Sequence, residues 1–220
     1  LSPLLFIVYT APLVSQLQIP DGGVIAYADD LTIFASGDFG SAAVGKLQCA
    51  LRSTSSWTNR WRQQFNPSKC RSMAVGWRSF RIPLAMDGRP IPQDFRLRVL
   101  GVLFSPRMSW HPHIGHAISR CRGVKHALKR IAHLRPPLEL YRLAYTAMLR
   151  SRLVYACPVF ANCRPSSLRL LELTQRNVLS TALPPDAVNP SSYFSLPPLY
   201  AHLADLQTRY VAQCAVTNPV

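Results

Sequence analysis

Asp29 and Asp30 stand side by side in Tyr27-Ala28-Asp29-Asp30, in a chain of 220 residues with only 10 acidic side chains. Clustering two carboxylates costs free energy unless a cation balances them. Hard divalent ions such as Mg2+ prefer oxygen donors of this kind. The chemistry such a pair could serve is phosphoryl transfer with two metal ions, one activating an attacking hydroxyl and the other stabilising the leaving oxygen. The flanking runs favour that reading. Val24 to Tyr27 and Leu31 to Ala35 are short and β-prone, so the pair is expected at the tip of a tight hairpin. Aspartates are also common in surface turns, and the four residues alone leave a plain turn open.

The surrounding chain is basic. It carries 25 Lys and Arg against 10 Asp and Glu, a formal net charge of +15. Such an excess points to a polyanionic partner, because releasing phosphate counterions drives association. Nucleic acid is the leading choice and an acidic membrane surface the lesser one. No membrane-crossing helix is expected, since the most apolar stretch, Leu1 to Leu17, is short and broken by Pro3, Pro12, Ser15 and Gln16. The six cysteines, at 49, 70, 121, 157, 163 and 214, form no C-x-x-C pair. That argues against a zinc ribbon and for a reducing, intracellular setting. His111, His113 and His116 lie near Cys121, but Pro112 interrupts them and they share no clear helical face, so zinc is disfavoured.

The elements that must position these groups can be read from periodicity. Residues 1–17 read as a helix entered through Ser2-Pro3, and Asp21-Gly22-Gly23 as a turn. Residues 41–62 read as a helix with Leu47, Leu51, Thr54, Trp57 and Trp61 on one buried face. Asn66-Pro67-Ser68 breaks the chain. A strand is expected at Met73 to Trp77, a hairpin at Ile82 to Met86 and Arg89 to Ile91 around Asp87-Gly88, and an alternating run from Phe95 to Phe104. After Ser105-Pro106 the pattern turns helical and Arg-rich. Residues 112–134 place Ile114, Ile118, Cys121, Val124, Leu128 and Ile131 on one stripe. Arg122, Lys125, His126, Lys129, Arg130 and His133 form an opposite, basic face. Further helices are expected at 138–156, 166–182 and Leu199 to Val216, with a loop rich in Pro and Ser between the last two.

Several stretches, in order, resemble the reverse transcriptases of non-LTR retrotransposons, of the jockey-like or ingi-like kind. Leu1-Ser2-Pro3-Leu4-Leu5-Phe6, followed by Tyr27-Ala28-Asp29-Asp30, is similar to the palm segment that runs into the catalytic hairpin. Asn66-Pro67-Ser68-Lys69 resembles the family's Asn-x-x-Lys element. Leu100-Gly101-Val102, Met108-Ser109-Trp110 and His113-Ile114 resemble the pattern leading into the thumb. Tyr155 with Phe160 resembles the thumb's Tyr-Gly-x-x-x-Trp region, with Ala156 and Phe160 in place of the usual residues. An RNA-templated RNA polymerase fits less well, because its hairpin usually has Gly where Ala28 stands.

The resemblance implies an α+β fold: a partial polymerase palm of antiparallel strands with packed helices, then a mainly α-helical thumb. The expected divisions are 1–104, 105–185 and a C-terminal helical extension, 186–220. It implies Asp29 as the principal ligand of two Mg2+ ions, Asp30 as the second carboxylate, and Lys69 near the leaving pyrophosphate. Tyr27 would lie near the primer terminus, and Leu100 and Gly101 in the primer grip. Read without the family, Lys69 is a solvated lysine after a turn and Gly101 a strand glycine or bulge. Arg122, Lys125, Lys129 and Arg130 would hold the duplex through its phosphates. The implied partners are an RNA template, a DNA primer and deoxynucleoside triphosphates. The family also needs an earlier metal-binding Asp and fingers over the nucleotide, and both precede the matching segment. A truncated reading frame is therefore expected, and residues 1–220 alone are expected to be inactive. The alternative reading is a non-catalytic, basic nucleic-acid-binding remnant. Oligomeric state is not legible.

Overall fold

The computed structural model describes residues 2–76, 80–183 and 190–217. The chain forms two compact units, Leu1–Met108 and Ser109–Val220. Mixed helices and short antiparallel strand pairs make it an α+β protein. No helix among the described residues is long and apolar enough to cross a membrane.

In the first unit, α1 (Ser2–Gln16) leads into β1 (Gly22–Tyr27) and β2 (Asp30–Ala35), which pair antiparallel from Gly22↔Ala35 to Tyr27↔Asp30. Gly22 and Gly23, expected in a turn, are already strand residues. Their lack of a side chain serves close packing, since a Cβ on Gly23 would stand 2.9 Å from the Phe34 ring. Alternation sends Val24, Leu31 and Ile33 to one face, where they pack against Leu13, Leu17 and Trp57. The base of the ribbon is tied to α2 (Gly40–Trp61) through Lys46, which donates to Asp21 Oδ2 at 2.7 Å and to the Ser36 carbonyl at 3.0 Å.

The helix α2 was expected to bury one face and instead packs on two sides. Ala50 and Trp57 join the ribbon's core, whereas Val44, Leu47 and Leu51 meet a second cluster built on Leu84, Met86 and Ile91. Trp61, expected in the buried face, is 39% exposed at the helix end. Two glutamines hold the second cluster in register. Gln48 accepts from the Ala85 N–H at 3.0 Å and donates to the Ala85 carbonyl at 2.8 Å. Gln93 accepts from the Ile82 N–H at 2.9 Å and donates to the Phe80 carbonyl at 2.8 Å. Each amide thus imitates a neighbouring strand.

The expected strand at Met73 to Trp77 does not form over its described residues, 73–76, and Trp77 lies outside them. A lone bridge joins Ser72 to Gln93. The Ser72 N–H donates to the Pro92 carbonyl at 2.9 Å and the Asp94 N–H donates to the Ser72 carbonyl at 2.8 Å, which completes the bridge. Pro92, with no N–H, blocks extension of the ladder back towards Arg71. The next hairpin is shorter than expected for a related reason: only β3 (Ala85–Met86) and β4 (Arg89–Pro90) pair, with prolines on both arms. Phe95 to Phe104 is not one run but a hairpin of β5 (Leu97–Val99) and β6 (Val102–Phe104). Leu100 and Gly101 form its two-residue turn with φ 48° and 81°, the type I′ pattern that suits the twist of the strands.

The second unit is helical. The single helix expected at 112–134 is two, α3 (His111–Arg120) and α4 (Arg122–His133), jointed at Cys121 with ψ −4°. The apolar stripe survives the joint, and Ile114, Cys121 and Leu128 are fully buried. Gly123 costs α4 about 1 kcal/mol of helix propensity. Each fully buried Leu contributes about 1.5–3 kcal/mol, so packing wins.

The helix expected at 138–156 is α5 (Leu138–Tyr145), a π-helical turn (Thr146–Arg150) and α6 (Ser151–Leu153). It stops before Ala156, whose φ is +58°. After α7 (Cys157–Phe160) come α8 (Pro165–Leu179), α9 (Pro190–Tyr193) and α10 (Leu199–Thr217). The C-terminal residues share the unit's core through Phe194, Leu199 and Leu203. A buried polar chain ties them in. Tyr145 donates to Gln175 Oε1 at 2.6 Å, Gln175 donates to Ser191 at 3.2 Å, and Glu172 accepts the Leu199 N–H at 2.7 Å. The Glu172 carboxylate thus satisfies an orphan N–H at the start of α10.

Two predictions concern this unit. A left-handed Ala costs about 1–2 kcal/mol relative to a right-handed conformation, and Gly does not carry that cost. Ala156→Gly should raise stability by about 1 kcal/mol in urea melts, and unchanged or lower stability would refute the assigned strain. His113 is buried against Phe160, ring centroids 5.3 Å apart. Burial, then the His116 charge, holds its pKa below the ordinary 6.5. The unfolded chain therefore binds this proton first, and stability falls as pH drops below about 6.5 towards the lower folded value. His202 adds in the same direction. His113→Phe should flatten the dependence of Tm on pH over that window.

Candidate active site and nucleic-acid interface

The ribbon's register decides where its acidic residues stand. Tyr27 and Asp30 are cross-strand partners, so they project on one face, with Ile25, Thr32 and Phe34 further down it. This is the face opposite the core, and Tyr27 is 65% exposed. Ala28 and Asp29 form the two-residue turn. Asp29 and Asp30 are both exposed, with the expected β-ribbon beneath them. No ion pair engages either one among the described residues.

Ala28 has φ +51° and Asp29 is not in the left-handed region. Positive φ at only the first turn position is the mark of a type II′ turn, where Gly is the usual residue. The six-pair ladder compels Ala into that conformation. Strain of this sort, about 1–3 kcal/mol, persists where the surrounding structure over-determines it. The sequence held a signal for it: two residues between paired strands require a primed turn, which demands positive φ.

The other acidic residues of this region do not join the pair. Asp21 lies at the far end of a six-residue strand, about 20 Å away at about 3.3 Å per residue. The hydrogen bond and charge of Lys46 hold its carboxyl below the usual range. Among the described residues no three His, Cys, Asp or Glu side chains gather at one point. Asp29 and Asp30 therefore fit Mg2+ by donor type, as part of a ligand set.

Lys69 is exposed at the end of a turn in which Asn66 Oδ1 accepts from the Ser68 N–H at 3.0 Å. No hydrogen bond or ion pair links Lys69 to Asp29 or Asp30 among the described residues. Leu100 and Gly101 occupy a hairpin tip, so Gly101 is neither a mid-strand glycine nor a bulge. An apolar groove between α1 and Trp61, lined by Leu5, Phe6, Tyr9 and Pro12, contains none of these residues.

On α4, Arg122, His126, Lys129, Arg130 and His133 are exposed and Lys125 is half-exposed. They sit opposite Val124, Leu128 and Ala132, which face the core. None of the six has an acidic partner among the described residues. The charge is thus displayed on a rigid helix and left uncompensated, as a polyanion-binding face requires.

Residues 1–104 match the family described as reverse transcriptase (RNA-dependent DNA polymerase). The chain is 22% identical over 189 residues to the "Probable RNA-directed DNA polymerase from transposon BS" of Drosophila melanogaster, covering 81% of this chain and 21% of that protein. It is 24% identical over 190 residues to the "RNA-directed DNA polymerase from mobile element jockey" of the same organism, covering 81% of this chain and 20% of that protein. The chain thus spans about a fifth of the length of the curated relatives it matches. No solved structure gives a significant match. Residues 1–104 thus carry the match to the reverse transcriptase (RNA-dependent DNA polymerase) family, and 81% of the chain is similar to transposon RNA-directed DNA polymerases, that of jockey among them.

Proposed function

We propose that the first unit is the catalytic-hairpin part of a polymerase palm and the second a thumb that grips the primer–template duplex. The reaction is attack of a primer 3′-hydroxyl on the α-phosphate of a deoxynucleoside triphosphate, directed by an RNA template, with release of pyrophosphate. The observation that carries this reading is the paired carboxylate at the tip of a packed β-ribbon, in a domain of the reverse transcriptase family.

Asp29 and Asp30 would hold Mg2+, whose contribution when bound is to neutralise charge developing on the phosphate oxygens. Tyr27, on the face of Asp30, would sit against the primer end. Lys69 would offer a positive charge or a proton to the leaving pyrophosphate. The turn at Leu100 and Gly101 would lie along the primer strand. Arg122, Lys125, Lys129 and Arg130 would contact phosphates, which positions a duplex without reading its sequence. The second reading, a non-catalytic binding remnant, is favoured by one observation: only two carboxylates come together among the described residues.

Primer extension with purified residues 1–220 separates enzyme from remnant. The expected result is no Mg2+-dependent product from this chain alone, and DNA synthesis would overturn that expectation. Asp29→Asn and Asp30→Asn should change unfolding free energy by no more than about 0.5 kcal/mol, as exposed residues without ion-pair partners do. In a longer polymerase containing this segment, the same changes should abolish synthesis. Charge reversal of Arg122, Lys125, Lys129 and Arg130 should abolish binding to an RNA–DNA duplex at low salt, and retained affinity would refute the thumb assignment.

A further inference from the structure

The second unit holds 13 Lys and Arg against four Asp and Glu. Its described acids are already placed. Glu172 is turned inward onto the Leu199 N–H, Asp205 pairs with Arg209 at 3.0 Å, and Glu139 opens α5. Arg152, on α6, has no acidic partner among the described residues and is exposed. Its neighbour Leu153 is fully buried, so the backbone that carries Arg152 is anchored in the core. α6 packs on α3, beside the joint at Cys121. Arg152, Lys125 and Arg120 all lie near enough to lower the charge cost at the buried Cys121 thiol, from α6, α4 and α3 respectively. Three cations are therefore held around one joint, and no carboxylate is among the groups acting on it. Such an arrangement costs self-repulsion that a chain of phosphates would relieve.

We propose that Arg152 extends the phosphate-binding face of α4 across the Cys121 joint, so that two helices, α4 and α6, grip the nucleic-acid backbone together. The inference rests on the reading that this unit binds a duplex. It adds a contact from an element that the basic periodicity of α4 does not reach. The contact is to phosphate, and so is indifferent to base sequence.

The test is fluorescence-anisotropy titration of the 220-residue chain with a labelled RNA–DNA hybrid across a salt series. Arg152→Gln should lower the slope of log affinity against log salt by about 0.9, the loss of one phosphate contact. That corresponds to about eightfold weaker binding at about 0.1 M salt, vanishing towards about 1 M. Arg152→Lys should restore most of the slope, and a scrambled duplex should behave the same way. Wild-type affinity and slope in Arg152→Gln, with binding lost in the α4 charge-reversed variant, would overturn this inference and leave the duplex-binding reading intact. Binding retained by the α4 variant would sink both. Loss of binding to phosphatidylserine vesicles alone, with duplex binding unchanged, would assign Arg152 to a lipid surface instead.

Discussion

A two-stranded antiparallel ribbon has two faces, and here a helical layer covers one of them. Val24, Leu31 and Ile33 take the covered face against Leu13, Leu17 and Trp57. By the period of two, Tyr27 and Asp30 must then take the other. A slip of one residue would exchange the two sets and bury a carboxylate beneath apolar side chains. The position of the acidic tip is therefore a consequence of core packing some residues away. Lys46, bound to Asp21 and to the Ser36 carbonyl, fixes the opposite end of the same ladder. With both the base and one face secured, the turn has little freedom, and Ala28 accepts a positive φ.

The second unit solves a different problem. It must display a dense positive charge while staying folded. The helices α3 and α4 do this by segregation, with a continuous apolar stripe inside and the basic side chains outside. Burying Ile114, Cys121 and Leu128 more than offsets the helix penalty of Gly123. The interior is not wholly apolar. The π-helical turn brings Arg150 as well as Leu149 into the core, where Arg150 donates to the Pro197 carbonyl at 3.2 Å. Burial lowers its pKa. Together with Tyr145, Gln175, Glu172 and Ser191, it joins the C-terminal helix to the rest of the unit through directional bonds. Apolar packing alone would leave the orientation of that helix less defined.

Residues 1–104 match the reverse transcriptase family, and the proposed polymerase reading gives these two devices a shared purpose. Phosphoryl transfer to a growing chain needs carboxylates presented at an accessible edge and a separate surface that holds the polyanion in place. An exposed acidic tip and an exposed basic helix are each unremarkable in isolation. Under the proposed reading, they answer the two requirements.

Local patterns were enough to announce the β-ribbon, the helices α1, α2, α8 and α10, the buried stripe of α3 and α4, and the acidic pair with its family. These depend on periodicity, turn chemistry and side-chain type, all of which operate over a few residues. Other features depended on partners distant in the chain. The strand expected at Met73 does not form beyond the single bridge at Ser72, and the Gly76 N–H goes to the distant Pro106 carbonyl at 3.0 Å instead. The helix α2 buried two faces because two separate clusters formed around it. Gln48, Gln93 and Glu172 serve as backbone partners, which nothing in their immediate neighbourhood foretells. The run from Phe95 to Phe104 and the helix at 112–134 each broke in the middle, at Leu100-Gly101 and at Cys121. Residue order specified which groups could do chemistry; only the folded chain decided which face they occupied, because a side chain's direction is set by what covers its neighbours.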